Sequence, residues 1–411
     1  MVSARHRDPP GGRVGRDRTP RERGAVPGRV GRLRDTLSAY LFISPSALII
    51  AVFGIFPLFF TVYVSLFKWR LTRGGFLALG NYLSLFGDSL FPFLTLVASI
   101  AGIVLAARLL RRAAGGARRG LQTFGGGALL ACSLAGVVLS LPQVASRGDS
   151  EVFDSLRVTI WYSVLTVPVQ LALGLAIALL LTRKIRGRQA FRVLYLLPYI
   201  APTVATAAVF ELLFSLDPDS FANRLLGLFG APPLQWLQEP RGVLRLVFGI
   251  GAQSPPGVLA SYWMGWAKGP SLALVSIVLF SWWVFVGYYA LIYINGLGSI
   301  PRQLYEAAEV DGAGRVRSFF SITLPLLSPT TYFLTLLGVI GTFKAFTHLY
   351  VLRTAAAAGT ADPISIEIFF TFFRKAQLGY ASAISILLFL IVLGLTLIQQ
   401  RTMERRVSYG D

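Results

Sequence analysis

Residues 305–325 read YEAAEVDGAGRVRSFFSITLP and join the uncharged runs 269–301 and 318–343. Each flanking run is long enough for the roughly 20 residues that cross a bilayer as a helix. The first residues of the quoted stretch favour a helix, Gly312 ends it, and a second short helix runs on to Pro325. We therefore expect a bent pair of short helices that stands off a membrane.

The composition predicts a membrane protein. The 411 residues are 54% hydrophobic and only 14% charged, with a mean hydropathy of +0.63, and a soluble domain needs more charge to cover its surface. The net charge of +20 does not indicate nucleic-acid binding, because the basic residues cluster between apolar runs and in the N-terminal tail. That distribution is typical of positively charged cytoplasmic loops.

Uncharged runs long enough to span a bilayer define the predicted topology, an all-α polytopic membrane protein with about eight transmembrane helices. These runs are residues 36–67, 89–107, 120–146, 158–182, 193–210, 269–301, 318–343 and 376–400. A further run, 246–267, contains the pair Pro255-Pro256, which would break two helical hydrogen bonds in lipid. We interpret 246–267 as an external or interfacial segment.

Charges in the connections orient the spans. With the N-terminus in the cytoplasm, the cytoplasmic segments are 108–120, 183–192, 302–317 and 401–411, and each is rich in Arg or Lys. The external segments are longer and mix both signs. The expected location is a prokaryotic cytoplasmic (inner) membrane, with both termini cytoplasmic and the stretch 305–325 on the cytoplasmic side.

The chain lacks the sequence motifs of several functional classes. No lysine follows a glycine, so the chain has no Walker A loop to bind ATP phosphates. The two histidines, His6 and His348, lie far apart, and there is no metal-ligand cluster or Ser-His-Asp set. Cys132 is interpreted as a small apolar core residue. The remaining classes are transporter, channel and membrane scaffold, and we expect no enzyme activity.

The quoted stretch has two open interpretations on residue types alone. Ala307, Ala308 and Gly312 leave a surface with little side chain, where the backbone of another protein could approach. Glu306 supplies a charge beside that surface. An ordinary solvated cytoplasmic loop would have the same residue types.

The stretch EAAEVDGAGRVRSFFSITLPLLSP resembles the EAA loop of importer-type ATP-binding-cassette permeases, in the form typical of the carbohydrate-uptake branch. The matching residues are Glu306, Ala307, Ala308, Asp311, Gly312, Ala313, Ile322, Leu324 and Pro325. Other stretches resemble the first permease subunit of maltose- and glycerol-phosphate-type systems, namely residues 39–69, 81–86, 159–181, 191–210, 343–352 and 378–401. The resemblance covers most of the chain from residue 38 on.

The resemblance implies a type I importer core of six helices plus an inserted two-helix hairpin. The predicted segments are a disordered basic tail (1–37), the first span (38–90), the hairpin (91–150), the remaining core (151–400) and a C-terminal tail (401–411). Within the core we expect an external insertion at 216–268 and a cytoplasmic coupling loop at 300–325. A third departure from the family is the loop RTAAAAGTADP (353–363), which replaces a Thr-Gly-Gly-rich one.

The resemblance also implies a mechanism and its partners. The chain would be a permease subunit for sugars or related solutes, paired with a second permease, two ATPase subunits and an external solute-binding protein. It would bind no cofactor itself, since ATP-Mg belongs to the ATPase. Coupling to the ATPase is assigned to Glu306, Ala307, Ala308, Asp311 and Gly312.

Candidate solute-path residues are polar or aromatic groups inside spans, because such groups tend to line a cavity. They are Glu211, Tyr288, Tyr289, Asn295, Thr347 and His348. The main alternative is a secondary transporter driven by an ion gradient, which would predict an inverted repeat and buried acids near mid-span.

Overall fold

The structure, a computed structural model, describes residues 29–87, 90–113, 119–182, 187–251 and 256–403. The expected N-terminal tail (1–37) lies outside these ranges up to residue 28, and residues 29–37 begin the first helix. Of the expected C-terminal tail (401–411), residues 401–403 end the last helix.

Helices dominate the described residues. The first half contains α1 (Arg29–Ile50), a π-helical turn (Ala51–Ile55), α2 (Phe56–Ser65), α3 (Gly80–Phe86), α4 (Leu90–Ala113), α5 (Arg119–Arg147), α6 (Ser150–Thr182), α7 (Arg188–Ile200) and α8 (Thr203–Leu213). The second half contains α9 (Phe221–Gly227), a 3-10 turn (Trp236–Gln238), α10 (Val243–Phe248), α11 (Val258–Ala267), α12 (Leu272–Gly298), α13 (Arg302–Val310), α14 (Arg315–Ser318), a π-helical turn (Phe319–Thr323), α15 (Leu324–Leu326), α16 (Ser328–Phe343), α17 (Thr347–Val351), α18 (Ile364–Phe373) and α19 (Leu378–Met403). Two strands, β1 (Phe67–Trp69) and β2 (Arg73–Phe76), form an antiparallel hairpin.

The predicted number of spans is confirmed. Seven segments of the described chain are long and apolar enough to cross a membrane, and the bent pair α7–α8 makes up to eight. They correspond to the eight uncharged runs. In the described parts of the segment 246–267, predicted not to span, no helix is longer than the ten residues of α11.

Two predicted spans differ in detail, and proline explains both. The run 193–210 is bent by 94° between α7 and α8. The helix stops at Ile200 because Pro202 disfavours helical backbone at Ala201, which is extended. The run 318–343 holds the seventh span, and its long helical segment begins only at Ser328, close to the start expected near Pro325. Pro325 lacks an N–H, and the chain before it forms a π-helical turn instead.

The described chain divides between Phe59 and Phe60 into two compact units. The described part of the first unit is helical, and its side chains from Thr36 on are exposed, as expected for a helix surrounded by lipid. Pro45 lies inside α1 and cannot donate to the carbonyl of Leu41. The Ser44 hydroxyl donates to that carbonyl instead, at 2.8 Å.

The second unit is built around α6 and α12. Helix α12 is the most buried of the candidate spans, because 56% of its most apolar 18-residue stretch is buried. Glycines permit its close contacts: a methyl group on Gly174 of α6 would lie 2.7 Å from Cβ of Tyr289, and one on Gly287 would overlap the carbonyl of Tyr195 on α7. These contacts place Tyr289 between helices near the middle of the bundle.

The hairpin predicted as an insertion consists of α4 and α5, whose contact is made by small residues. A methyl group on Gly102 would overlap Ser133 Oγ, and one on Gly136 would overlap Ser99 Oγ. The glycines nearer the turn of the hairpin make fewer contacts. Gly115 and Gly116 lie outside the described residues, Gly126 faces Leu110, and Gly125 and Gly127 face open space.

Cys132 lies on α5 but is exposed, so its interpretation as a core residue is wrong. An apolar helix in a membrane can turn such a side chain to lipid at no cost, whereas a soluble fold favours burying it.

The two insertions noted in the sequence contact each other. Trp263 of α11 donates its indole N–H to the carbonyl of Val138 on α5, at 3.1 Å. That carbonyl has no partner at position i+4 of its own helix, because residue 142 is proline. Val138 lies about 14 Å along α5 from its end at Arg147, at 1.5 Å per residue. Helix α11 therefore packs against the side of α5, deeper than the external or interfacial position predicted for 246–267, and satisfies a carbonyl of a membrane-spanning helix.

The third departure, the loop 353–363, is tied to the external insertion. Arg353 Nε donates to Asp362 Oδ1 at 2.8 Å, and Thr354 Oγ1 donates to the carbonyl of Leu237 at 2.8 Å. In the same insertion, the side-chain hydrogen bonds from Arg241 hold the pKa of Glu239 below its usual range. The insertion and this loop form one connected surface at the end of the bundle opposite residues 302–325.

We predict that Trp263→Phe destabilises the protein because it leaves the carbonyl of Val138 unpaired, at a cost of about 1–3 kcal/mol. Pro142→Ala should rescue Trp263→Phe, since it restores a backbone N–H at position i+4. Thermal unfolding of the purified chain in detergent measures both effects. Equal midpoints for the wild type and Trp263→Phe would contradict the assigned role.

Candidate functional site

The loop expected at 300–325 contains the predicted pair of short helices. Helix α13 ends in a Schellman motif, in which Ala313 N donates to Ala308 O at 2.8 Å and Gly312 N donates to Glu309 O at 3.1 Å. Gly312 has a φ of +77°, a conformation that costs other L residues about 1–2 kcal/mol. The glycine is thus required by the backbone itself.

The loop is anchored at one point and open elsewhere. The hydroxyls of Tyr305 and Thr323 lie 2.9 Å apart, which joins α13 to the π-helical turn that follows α14. Glu306 and Arg302 form an exposed ion pair at 3.0 Å. Such an i,i+4 pair contributes only about 0.3–0.5 kcal/mol, so Glu306 is of little importance for stability.

The residues predicted to couple to the ATPase share one exposed region. Glu306, Ala307, Asp311 and Gly312 are exposed, and Ala308 is half-buried. A methyl group on Gly312 would meet no atom within 4 Å. Val310 on the same loop is 88% exposed, which is unusual for an apolar side chain beyond a membrane.

A cavity of about 430 Å³ lies near the middle of the second unit, between α6, α12, α16–α17 and the break between α7 and α8. Its lining consists of Tyr162, Thr166, Gln170, Tyr199, Thr203, Phe285, Tyr288, Tyr289, Leu337, Gly338, Gly341, Thr342, Ala345, Phe346, Thr347 and His348. None of these residues is an acid, a lysine or an arginine. Tyr199 and Thr203 flank the helix break, and non-helical backbone at membrane depth is tolerated where it faces a cavity or protein.

A buried hydrogen-bonded chain forms one wall of the cavity. The Tyr162 hydroxyl lies 2.8 Å from Ser281 Oγ and 2.7 Å from His348 Nε2. Gln170 Nε2 donates to the carbonyl of Ser281 at 3.0 Å. Tyr162 and His348 are both buried, so this chain links α6, α12 and α17 through polar groups that have partners.

Aromatic rings form another wall. Tyr199 of α7 and Tyr288 of α12 are stacked, with ring centroids 4.9 Å apart and an interplanar angle of 22°. Tyr289 lies between helices, where Gly174 and Gly338 leave room for its ring. The cavity thus combines aromatic faces with uncharged hydrogen-bonding groups, the usual chemistry of a small-molecule site.

Four of the six predicted path residues line the cavity: Tyr288, Tyr289, Thr347 and His348. The structure does not bring Glu211 or Asn295 to it, and both are exposed. Glu211 lies eight residues beyond Thr203, the last lining residue on α8, which is about 12 Å along the helix. Asn295 lies six residues beyond Tyr289, the last lining residue on α12.

The sequence analysis missed Tyr162, Thr166, Gln170, Tyr199 and Thr342. All are uncharged polar or aromatic residues within apolar runs. Gln170 carries the clearest signal, because it is an amide in the uncharged run 158–182, and a buried amide in lipid needs a partner.

Comparison with known proteins gives consistent matches. A family model described as "Binding-protein-dependent transport system inner membrane component" matches residues 170–409. The trehalose/maltose transport system permease protein MalF of Thermococcus litoralis is 31% identical over 60% of this chain and 73% of that protein. The sn-glycerol-3-phosphate transport system permease protein UgpA of Agrobacterium fabrum is 29% identical over 65% of this chain and 80% of that protein.

The fold also matches a solved structure. A chain of a bacterial ABC transporter involved in the import of the acidic polysaccharide alginate superposes with a TM-score of 0.51 and 21% sequence identity. The match covers 64% of this chain and 82% of that chain. At this identity the likeness supports the fold, an all-helical permease bundle.

We predict that Gly338→Ala destabilises the cavity, because the new methyl group would lie 2.5 Å from Tyr289 Oη. The expected cost is about 1–3 kcal/mol. Tyr289→Phe should relieve part of this cost by removing the hydroxyl oxygen, while Val167 Cγ1 remains 3.0 Å from the new methyl group.

Gly341→Ala is the matched control for that prediction, since it lies on the same helix and in the same cavity but meets no atom within 4 Å. Thermal unfolding of Gly338→Ala, Gly338→Ala/Tyr289→Phe and Gly341→Ala measures the effect. A Gly338→Ala midpoint equal to that of Gly341→Ala would contradict the assigned contact.

Proposed function

The chain belongs to the family of binding-protein-dependent transport system inner membrane components, and we propose that it acts as one permease subunit of an ATP-driven importer. The observation that carries this proposal is the combination of a mid-bundle cavity with an exposed EAA loop at one end. Membership of this family argues against the ion-gradient-driven alternative.

The orientation follows from the charges of the connections. The segments 108–120 and 183–192 each carry five basic residues and no acid, which favours the cytoplasmic side for them. Residues 302–317 carry three residues of each sign, and their cytoplasmic side follows from the two spans that separate them from 183–192. The loop 300–325 then faces the cytoplasm, and the external insertion with its attached loop 353–363 faces outward. A solute delivered from outside would enter the cavity from the insertion side.

The proposed partners follow from what this chain lacks and exposes. Without a Walker A loop it needs separate ATPase subunits, which would dock on residues 302–312 and hold ATP-Mg. A second permease would complete the pathway. One structural relative is a bacterial alginate ABC transporter in complex with a periplasmic protein that carries an alginate pentasaccharide, and we propose an external solute-binding protein for this chain as well.

Transport would proceed by alternating access. Closure of the ATPases would push α13 toward the membrane, and the anchor between Tyr305 and Thr323 would transmit that displacement to the helix that follows Pro325. A bundle with two packing states could then open the cavity to one side at a time. Each state needs differential binding energy from ATP or from the loaded binding protein.

We propose a sugar or a related polyhydroxylated solute. The stacked Tyr199 and Tyr288 offer faces for sugar rings, and Gln170, Thr166 and Thr342 offer uncharged hydrogen-bonding groups. The similar permeases include systems named for trehalose/maltose and for arabinooligosaccharides. The absence of lysine and arginine from the lining residues favours an uncharged solute over a phosphorylated one.

We predict that Gly312→Asn separates the structural from the docking role of this position. Asn tolerates the left-handed conformation, so the fold should remain stable, but its side chain would enter the proposed ATPase contact. Solute uptake per ATP hydrolysed, measured with the whole complex in proteoliposomes, should fall about tenfold or more, equivalent to at least about 1.4 kcal/mol.

Two further variants complete this test. Glu306→Lys should also uncouple uptake from hydrolysis, whereas Glu306→Gln, which removes the charge with little change in size, should have less effect. Wild-type uptake by a Gly312→Asn/Glu306→Lys variant would contradict ATPase docking at this loop.

We predict that Tyr288→Ala or Tyr199→Ala reduces sugar uptake about tenfold, about 1.4 kcal/mol, because each variant removes a face of the aromatic wall. Trp283→Ala is the control, since Trp283 lies on the same helix but outside the cavity lining. Uptake of labelled solute and ATP hydrolysis are measured together. Equal losses in Trp283→Ala and Tyr288→Ala would contradict a solute path through this cavity.

A further inference from the structure

The first external segment departs from the charge rule that orients the rest of the chain. Residues 66–89 contain Lys68, Arg70 and Arg73 but only one acid, Asp88. Positive loops favour the cytoplasmic side, yet this segment follows the first span and lies at the end opposite the loop 300–325. The orientation of the spans in the membrane therefore does not explain why this segment carries basic residues.

The hairpin β1–β2 within this segment is held rigidly against the bundle. Asn81 Nδ2 donates to the carbonyls of Ser65 and Phe67 at 2.7 and 3.0 Å. A methyl group on Gly379, at the start of α19, would overlap the carbonyl of Phe67. The backbone that carries Lys68 and Arg70 is thus fixed by contacts on two sides.

A second cavity, of about 600 Å³, opens beside this hairpin. Among the residues that the structure describes, the charged ones that line it are Lys68, Arg70, Arg147 and Asp149, three cations and one anion. Asp149 is already engaged, because it accepts hydrogen bonds from Tyr380 Oη at 2.7 Å and from Glu151 N at 3.0 Å. Arg147 ends the inserted hairpin, so the insertion supplies part of the cavity wall.

The surroundings of this cavity are those of a membrane interface. The last residue of α5 (Arg147), the start of α19 (Tyr380) and the short helix α3 line it, which sets it at the level where the spans α5 and α19 leave the hydrocarbon. Next to the cations, Leu71 is 87% and Phe76 is 65% exposed. Trp69 and Tyr380 are among the lining residues. Elements that lie in the interface combine apolar side chains with Lys and Arg in this way.

We propose that this cavity binds the phosphate of an anionic phospholipid headgroup in the outer leaflet. The cationic groups of Lys68, Arg70 and Arg147 would contact the phosphate diester, while Leu71 and Phe76 would lie against the acyl chains. Basic pockets between transmembrane helices are suited to such headgroups. The inserted hairpin would complete this lipid site, which is separate from the solute cavity.

The exposed apolar residues distinguish a lipid from a free phosphate compound. A soluble ligand would gain nothing from Leu71 and Phe76, whereas a lipid brings its own acyl chains to them. The shared chemistry is the phosphate group, and the two sources differ in whether acyl chains are needed for binding.

The test uses the full chain with its co-purifying subunits, reconstituted in nanodiscs of phosphatidylcholine containing a minor fraction of phosphatidylglycerol. After transfer to detergent, mass spectrometry measures the ratio of the two lipids retained. We expect the wild type to enrich phosphatidylglycerol. The enrichment should fall about fivefold for each cation removed in Lys68→Gln, Arg70→Gln and Arg147→Gln.

Arg73→Gln is the matched control, because Arg73 lies in the same hairpin but its guanidinium stacks over the ring of Phe67 at 4.4 Å and does not line the cavity. It should keep the wild-type enrichment. Equal enrichment in Arg73→Gln and the Lys68→Gln/Arg70→Gln variant would overturn the proposal. Full displacement of phosphatidylglycerol by millimolar glycerol phosphate would overturn the assignment to a lipid.

Discussion

The structure depends on one constraint, that backbone polar groups inside a bilayer need partners because no water is there to supply them. Prolines within the spans make this constraint visible. Pro45 has no N–H for the carbonyl of Leu41, and the hydroxyl of Ser44 donates to that carbonyl instead, within a single helix. Pro142 has no N–H for the carbonyl of Val138, and the indole of Trp263 donates to that carbonyl instead, which joins two segments of the chain. At Pro202 the helix breaks altogether, and the break borders the cavity.

The second of these cases connects parts of the chain that looked independent. In the sequence, the hairpin α4–α5 and the segment around α11 were two separate departures from the family pattern. Both were predicted to lie outside the six-helix permease core. Their contact at Trp263 makes them one structural unit. The loop 353–363 joins the same insertion through Thr354, so all three departures meet at one end of the bundle.

Gly312 shows how one residue can serve the fold and a partner at once. Its left-handed backbone closes the Schellman motif of α13, and its missing side chain leaves the surface open. The sequence motif predicted the second role, through resemblance, and the geometry supplied the first. The cavity likewise contains residues that the sequence predicted and residues that only the structure revealed. Tyr288, Tyr289, Thr347 and His348 were expected as polar or aromatic groups within spans, whereas Tyr162 and Thr342 were found only in the structure.

The sequence by itself determined the number of spans, since run lengths and charge positions reflect the cost of placing polar groups in lipid. The EAA loop and the family were identified by the resemblance of residues 306–329. The sequence also indicated that residues 246–267 do not span, because two consecutive prolines cannot form helical hydrogen bonds. The tertiary structure alone decided which polar residues share the cavity, because a helix of apolar residues has no periodicity to show which face is inside. Glu211 and Asn295 are not among the residues that line it. The tertiary structure also decided which carbonyl Trp263 contacts, and that Arg147 and Lys68, far apart in sequence, face one cavity, because such contacts depend on how distant helices pack.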